Sequence, residues 1–184
     1  APTPISAFMA TGVKLVMFTV LIRIATLKML FVDPRLLLTL KICAVLTMTV
    51  GNISAIIQDN VKRILAYSSI AHAGYIMVGI VVAATSKSPD AAAATLFYLI
   101  TYSAMNIGAF AVVNIIEKDE RGNLSIDEYA GVGYRFPILG VALTIFILSL
   151  AGIPPMAGFL GKFYIFAAAV KDGHFLLAIA GVIN

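Results

Sequence analysis

The sequence predicts an all-α protein, a polytopic bundle of membrane-spanning helices with about five crossings and part of a sixth, and three observations carry that prediction. Of the 184 residues, 61% are hydrophobic and 12% charged, whereas a soluble domain has roughly 45–50% apolar and 25% charged residues. Asp, Glu, Lys and Arg are absent from residues 42–58, 64–86, 91–116 and 136–161, and a bilayer-spanning helix needs about 20 mostly apolar residues. Short polar or proline-containing segments separate these stretches. Together they exclude a water-soluble globule. The net charge of +4 is spread thinly among apolar runs and forms no basic face, so nucleic acid is not expected as a partner. A single cysteine, Cys43, excludes an internal disulfide, a cysteine-based metal site and a redox pair. Any electron chemistry belongs to another chain.

In chain order the expected spans are about 5–27, 36–58, 61–86, 91–116, a broken span over 137–171, and a partial one over 174–184, all in a single membrane domain. The first is apolar apart from Lys14 and Arg23. Asp33-Pro34, the tight turn at 58–60 and Ser88-Pro89 read as helix stops. Residues 117–135 form the one long connection, expected to be solvated and weakly packed, with Ser125-Ile126-Asp127-Glu128 suited to a capped short helix. Residues 136–170 would make a helix about 52 Å long, too long for one clean span and too short for two. Gly152-Ile153-Pro154-Pro155 falls inside it, and two prolines remove backbone donors and clash with the preceding turn. The helix should break there. Such a break either lines an ion path, as in transporters, or is a proline kink that serves packing.

With neither an initiator Met nor a signal peptide, the chain reads as an internal piece, the C-terminal part of a longer one. Alternating sides puts Lys62, Arg63, Lys118, Arg121 and Arg135 on one membrane face and Lys28, Arg35, Lys87 and Lys171 on the other. The slight excess points to the first face as cytoplasmic, or as matrix or stroma in an organelle.

Charges inside the spans are the candidate functional residues. Lys14 lies about 14 Å along its helix, near the middle of a hydrocarbon core about 30 Å thick. A lysine there costs at least about 2.5 kcal/mol, so it either carries protons or belongs to a structural ion pair. Lys162, shortly after the break in Gly158-Phe159-Leu160-Gly161-Lys162-Phe163, is either a proton site or a side chain reaching a headgroup. Ser68, Ser69, His72, Tyr75 and Gly79 share one helical face. His72 is then a relay or a hydrogen-bonded core residue. Thr95, Tyr98, Tyr102 and Asn106 form a second stripe that either holds waters or joins helices. Lys62, at the start of the helix carrying His72, is a weaker candidate; it and the remaining basic residues lie near proposed boundaries where long stems snorkel. All nine acidic residues fall outside the proposed spans, so a carboxylate for Lys14 would have to come from elsewhere. No metal constellation and no nucleophile with its base are present.

The order of these residues carries a family resemblance. Ala1-Pro2-Thr3-Pro4-Ile5-Ser6-Ala7-Phe8 with Thr11 and Lys14 looks like the start of the lysine-bearing helix of the antiporter-like membrane subunits of proton-pumping NADH:quinone oxidoreductase, respiratory complex I. Gly51-Asn52, Gln58, Asn60, Lys62-Arg63 and Leu65-Ala66-Tyr67-Ser68-Ser69-Ile70-Ala71-His72 resemble its most distinctive stretch, as do Leu148-Ser149-Leu150-Ala151-Gly152-Ile153-Pro154-Pro155 and Gly161-Lys162-Phe163. The Ser-Ser-Ile-Ala-His form is similar to subunit N (mitochondrial subunit 2). Sister subunits and multisubunit sodium/proton antiporters usually carry Ser-x-x-Ser-Gln there, and tend to place His and Lys on the next helix, where this chain has Tyr98, Tyr102 and Asn106.

The resemblance implies that Lys14 is the connecting lysine of a central polar axis, His72 an adjoining relay and Lys162 a terminal proton site on a broken helix. It implies a proton-translocating subunit driven by quinone reduction elsewhere, with no cofactor of its own; NADH, flavin, iron–sulfur clusters and quinone belong to partner subunits. The expected partners are other complex I membrane subunits, lipid, protons and internal water. The expected location is the bacterial inner membrane, or else an organelle inner or thylakoid membrane. The family's first half, with a membrane glutamate and a further lysine, would lie upstream of Ala1. A sodium/proton antiporter subunit and a non-pumping membrane scaffold are the competing readings.

Overall fold

A computed structural model describes residues 2–27, 33–86, 88–119 and 125–184. Lys28, Lys87 and Arg121, which the charge count assigns to membrane faces, and Ala1 of the first motif lie outside the described residues. Helices α1 (Thr3–Thr26), α2 (Pro34–Ile56), α3 (Val61–Thr85) and α4 (Asp90–Asp119) are each long enough to cross a bilayer and apolar enough to do so. After a single 3-10 turn (Asp127–Tyr129) and the short α5 (Val132–Arg135) come α6 (Pro137–Ala151), α7 (Ala157–Lys171) and α8 (Phe175–Ile183). At 15 residues each, α6 and α7 reach only about 22 Å apiece, so neither alone is as long as the hydrocarbon core is thick, and α8 is shorter still. The described residues contain no named strand.

Local chemistry places the ends. Asp33 caps α2 by accepting from the Arg35 N–H, with Pro34 at the first helical position, where its missing donor costs nothing. Asn60 caps α3 by accepting from the Arg63 N–H. At the break, Gly152 takes a left-handed conformation (φ 84°) and its N–H closes α6 on the Leu148 and Ser149 carbonyls; a side chain there would be strained. The peptide between Pro154 and Pro155 is cis.

Helix α3 is the axis of the bundle, packed against α1, α2, α4 and α7. Its approach to α2 is backbone-close: a Cβ on Gly74 would collide with Met48 and with the Ala44 carbonyl. Tyr98, Tyr102, Phe110, Met48 and Ile76 are fully buried.

The long connection differs in part from the sequence expectation. Helix α4 continues through Glu117, which is buried, so a buried acidic residue lies within a spanning helix. The described part of the connection is mostly exposed, as expected, but is fastened at points: Ile126 N–H donates to the Asp59 carbonyl (2.8 Å), Asn60 and Ser125 form an isolated β-bridge, and Val132 is buried. The Ser125 N–H donates to the Glu128 carboxylate, half of the expected capping pattern, and this holds the Glu128 carboxyl below its usual range. The physical reason for the buried Glu117 is a lysine from another helix, described next.

Candidate functional site

Lys14 and His72 fall near the middle of α1 and α3 and Lys162 in the first half of α7, and the helices bring them into one polar layer. From α1, the Lys14 ammonium donates to the Ser69 carbonyl and, at 2.9 Å, to the Ser69 Oγ on α3. The Ser69 hydroxyl itself donates to the Ala66 carbonyl. One turn along α3, His72 is buried with its Nδ1 2.5 Å from the Tyr98 hydroxyl of α4. Tyr102, one turn further on α4, lies with its ring 5.0 Å from the imidazole. Its hydroxyl donates to the Ala10 carbonyl of α1 (2.8 Å) and accepts from Asn106 (3.2 Å). The two stripes on α3 and α4 therefore face each other and α1.

On the opposite side of His72, Tyr75 packs edge-on against the imidazole at 5.8 Å. The face of the Tyr75 ring lies 4.6 Å from the Lys162 Nζ, a distance at which a cation is attracted to an aromatic ring. The Tyr75 hydroxyl accepts from Asn52 of α2 (3.3 Å). Lys162 also donates to the Ala151 carbonyl (3.4 Å), one of the acceptors that the helix break leaves without an intrahelical donor. A cavity of about 470 Å³ joins these groups, with His72, Tyr75, Lys162, Asn52 and Ser68 supplying its polar lining. Such a space, with several polar partners, suits water.

Neither Lys14 nor Lys162 has a carboxylate within ion-pair distance among the described residues. Lys62 does. It begins α3 ten residues before His72, about 15 Å away along the axis, and its Nζ lies 2.8 Å from Glu117 Oε2. Thr3 of α1 donates to the same oxygen (2.9 Å). Only 15% of the Lys62 side chain and 9% of Glu117 are exposed, so the pair is largely desolvated. Tyr129 adjoins it, its phenol pushed up to about 12 by burial and, secondarily, by the Glu117 carboxylate. Lys62 is thus separated from the layer that contains the other three candidates.

Sequence reasoning identified the two stripes but not the partner of Lys14, nor the Thr3–Lys62–Glu117 cluster. Glu117 was available as a signal, since it directly follows the apolar run 107–116. At the other end of the bundle His174, between α7 and α8, is hydrogen-bonded to Thr85 (2.8 Å). Burial and, after it, Lys41 lower its proton affinity against a smaller opposing effect of Asp172. Among the described residues no group of three or more His, Cys, Asp or Glu could hold a metal ion.

Comparison with known proteins gives this geometry a setting. The chain is 49% identical over 185 residues to NADH-quinone oxidoreductase subunit N of Bdellovibrio bacteriovorus, covering all of this chain and 38% of that protein. It is 48% identical to the subunit N of Trichlorobacter lovleyi, again over the whole chain and 37% of the relative. The chain therefore spans little more than a third of the length of these relatives. Among solved structures, a chain of respiratory complex I from Thermus thermophilus with bound Aureothin superposes with a TM-score of 0.78 at 34% identity, over 100% of this chain and 38% of that one. A family model described as NADH:quinone oxidoreductase/Mrp antiporter, TM, matches residues 1–184, and the chain belongs to that family of membrane proteins.

Proposed function

We propose that the chain is the proton-conducting part of a subunit-N-type membrane subunit of NADH:quinone oxidoreductase, in a bacterial inner membrane, alongside other complex I membrane subunits that with their partners carry the cofactors. The observation behind this reading is the polar layer in which two lysines flank a buried histidine and, among the described residues, have neutral partners.

Neutral partners suit a group that gains and loses a proton. If Lys14 were paired with a buried carboxylate, its deprotonation would leave that anion uncompensated, at a cost of several kcal/mol. With Ser69 as partner no such charge is left: the hydroxyl accepts from the ammonium, and on deprotonation it can turn from the Ala66 carbonyl and donate to the amine. The His72 imidazole can accept at one ring nitrogen while donating at the other, and the cavity it shares with Lys162 gives water a route between them. At Lys162, the Tyr75 face and the Ala151 carbonyl favour the charged form without a fixed counter-ion. Quinone reduction in partner subunits would supply the energy.

The test is proton uptake and quinone-linked NADH oxidation in proteoliposomes at equal complex content. Lys14→Ala should lower both together by about tenfold or more, because a blocked proton step stalls the driving reaction; full pumping with normal turnover would sink the role of Lys14. Lys162→Glu, still able to titrate, should keep measurable pumping while Lys162→Met keeps much less. Equal loss in both would make Lys162 a fixed charge or a packing element. A proton gradient that depends on sodium would favour the antiporter reading.

A further inference from the structure

Helices α6 and α7, on either side of the break, are tied together by Ser149, a side chain the proton path above does not use. Ser149 is buried in the last turn of α6, among Leu148, Leu150 and Ala151. Its hydroxyl faces and donates to the Met105 sulfur of α4, and its Oγ accepts from the Gly158 N–H at 3.2 Å. Gly158 is in the first turn of α7, where backbone N–H groups lack intrahelical acceptors, and Met156 at the N-cap provides no side-chain cap. A Cβ on Gly158 would run into the Ser149 carbonyl, so the two half-helices touch backbone to backbone at this point.

The second contact across the break, from Lys162 to the Ala151 carbonyl, lies two residues on along α6 and one turn on along α7. A helix is stiff over one turn, so both contacts share one register: a slip of α7 that separates Gly158 from Ser149 also changes the distance between Lys162 and Ala151. The Gly152 backbone follows the Lys162 stem closely, since a Cβ there would lie 3.3 Å from the lysine Cδ.

We propose that Ser149 is a positioning residue for Lys162: anchored on Met105, it fixes the offset between α6 and α7 and thereby the environment in which the lysine exchanges its proton. This rests on Lys162 being a proton site. A serine that merely capped α7 would affect stability and leave the pH dependence of turnover unchanged; a positioning serine must change that dependence.

The experiment uses the assembled complex in proteoliposomes and records quinone-linked NADH oxidation against pH for the native protein, Ser149→Ala, Ser149→Thr, Met105→Leu and Lys162→Met. Ser149→Ala should assemble, turn over about threefold more slowly and show a pH profile displaced by about half a unit. Ser149→Thr, which keeps the hydroxyl, should restore the native profile, and Met105→Leu, which removes only the anchor, should show a smaller displacement of the same sign. An unchanged profile in Ser149→Ala overturns the proposal; should that variant fail to assemble, an unchanged profile in Met105→Leu does so. Full pumping by Lys162→Met would remove the proton-site reading itself, whereas an inactive Lys162→Met beside a native profile in Ser149→Ala removes only the positioning role.

Discussion

The middle of the bundle and its Lys62 end treat buried lysines in opposite ways. At the end, Lys62 faces Glu117, whose carboxylate also accepts from Thr3, so its charge is locked by a permanent opposite charge. In the middle, Lys14 and Lys162 have hydroxyl, carbonyl and aromatic partners. The first arrangement resists proton loss because it would strand a buried anion. The second strands no fixed charge among the described residues when the lysine loses its proton. Under the proposed function the first arrangement suits a structural lysine and the second a working one, and the Lys62–Glu117 pair favours a structural role for Lys62.

The largest effect that can break this comparison is at the end of the bundle. Lys62→Met leaves Glu117 buried and unpaired, and removing one partner of a buried pair costs about 3–5 kcal/mol. The amount of assembled complex should fall severalfold, measured by native electrophoresis of membranes. Lys62→Met combined with Glu117→Gln should recover much of it, since no charge is then stranded. If Lys62→Met assembles normally and abolishes pumping, Lys62 is a carrier and the comparison fails.

A smaller effect sharpens the account of the middle. His72→Gln keeps a hydrogen-bonding group opposite Tyr98 and removes the imidazole, which can take up a proton at one ring nitrogen and release one from the other. Because water in the adjoining cavity can bypass one relay, turnover should fall about threefold, well short of Lys14→Ala. A loss as complete as that of Lys14→Ala would make His72 an obligatory carrier.

How much of this was legible in the sequence follows from what each feature depends on. Spanning helices and the break depend on local composition: runs without charge, and two adjacent prolines after Gly152. The polar stripes on α3 and α4 also could be read, because 3.6-residue periodicity places His72 with Ser69 and Tyr98 with Tyr102 on common faces. Which stripe meets which is a matter of packing, so the Lys14–Ser69 contact, 55 residues apart, left no local trace. Glu117 falls outside the span that composition predicts, because by composition the first charge after an apolar run ends a span. That rule fails where a lysine from a neighbouring helix supplies the counter-charge. Ser149 is one of two hydroxyls, with Thr144, in an apolar helix, and only the tertiary positions of Met105 and Gly158 distinguish it from filler.

The smallest expected effect tests whether the surface segment after α4 is held by the charged end of the bundle. The Tyr129 phenol is pushed up to about 12 from an ordinary value of 10.0, first by burial and then by Glu117. Folding therefore favours its neutral form. The stabilisation is fully present below pH 10 and is lost as pH rises through the interval from 10 to about 12, because the unfolded segment releases the proton first. An ultraviolet difference titration of the solubilised complex should show one tyrosine ionising near pH 12 that is missing in Tyr129→Phe. The unfolding temperature of the native protein should fall more steeply across this interval than that of the variant. Glu117→Gln, which keeps the side chain but removes its charge, should move the titration part of the way back toward 10. Ionisation of Tyr129 near 10 in the native protein would mean that the segment is open to solvent, and that the Lys62–Glu117 end is less enclosed than its contrast with the middle of the bundle requires.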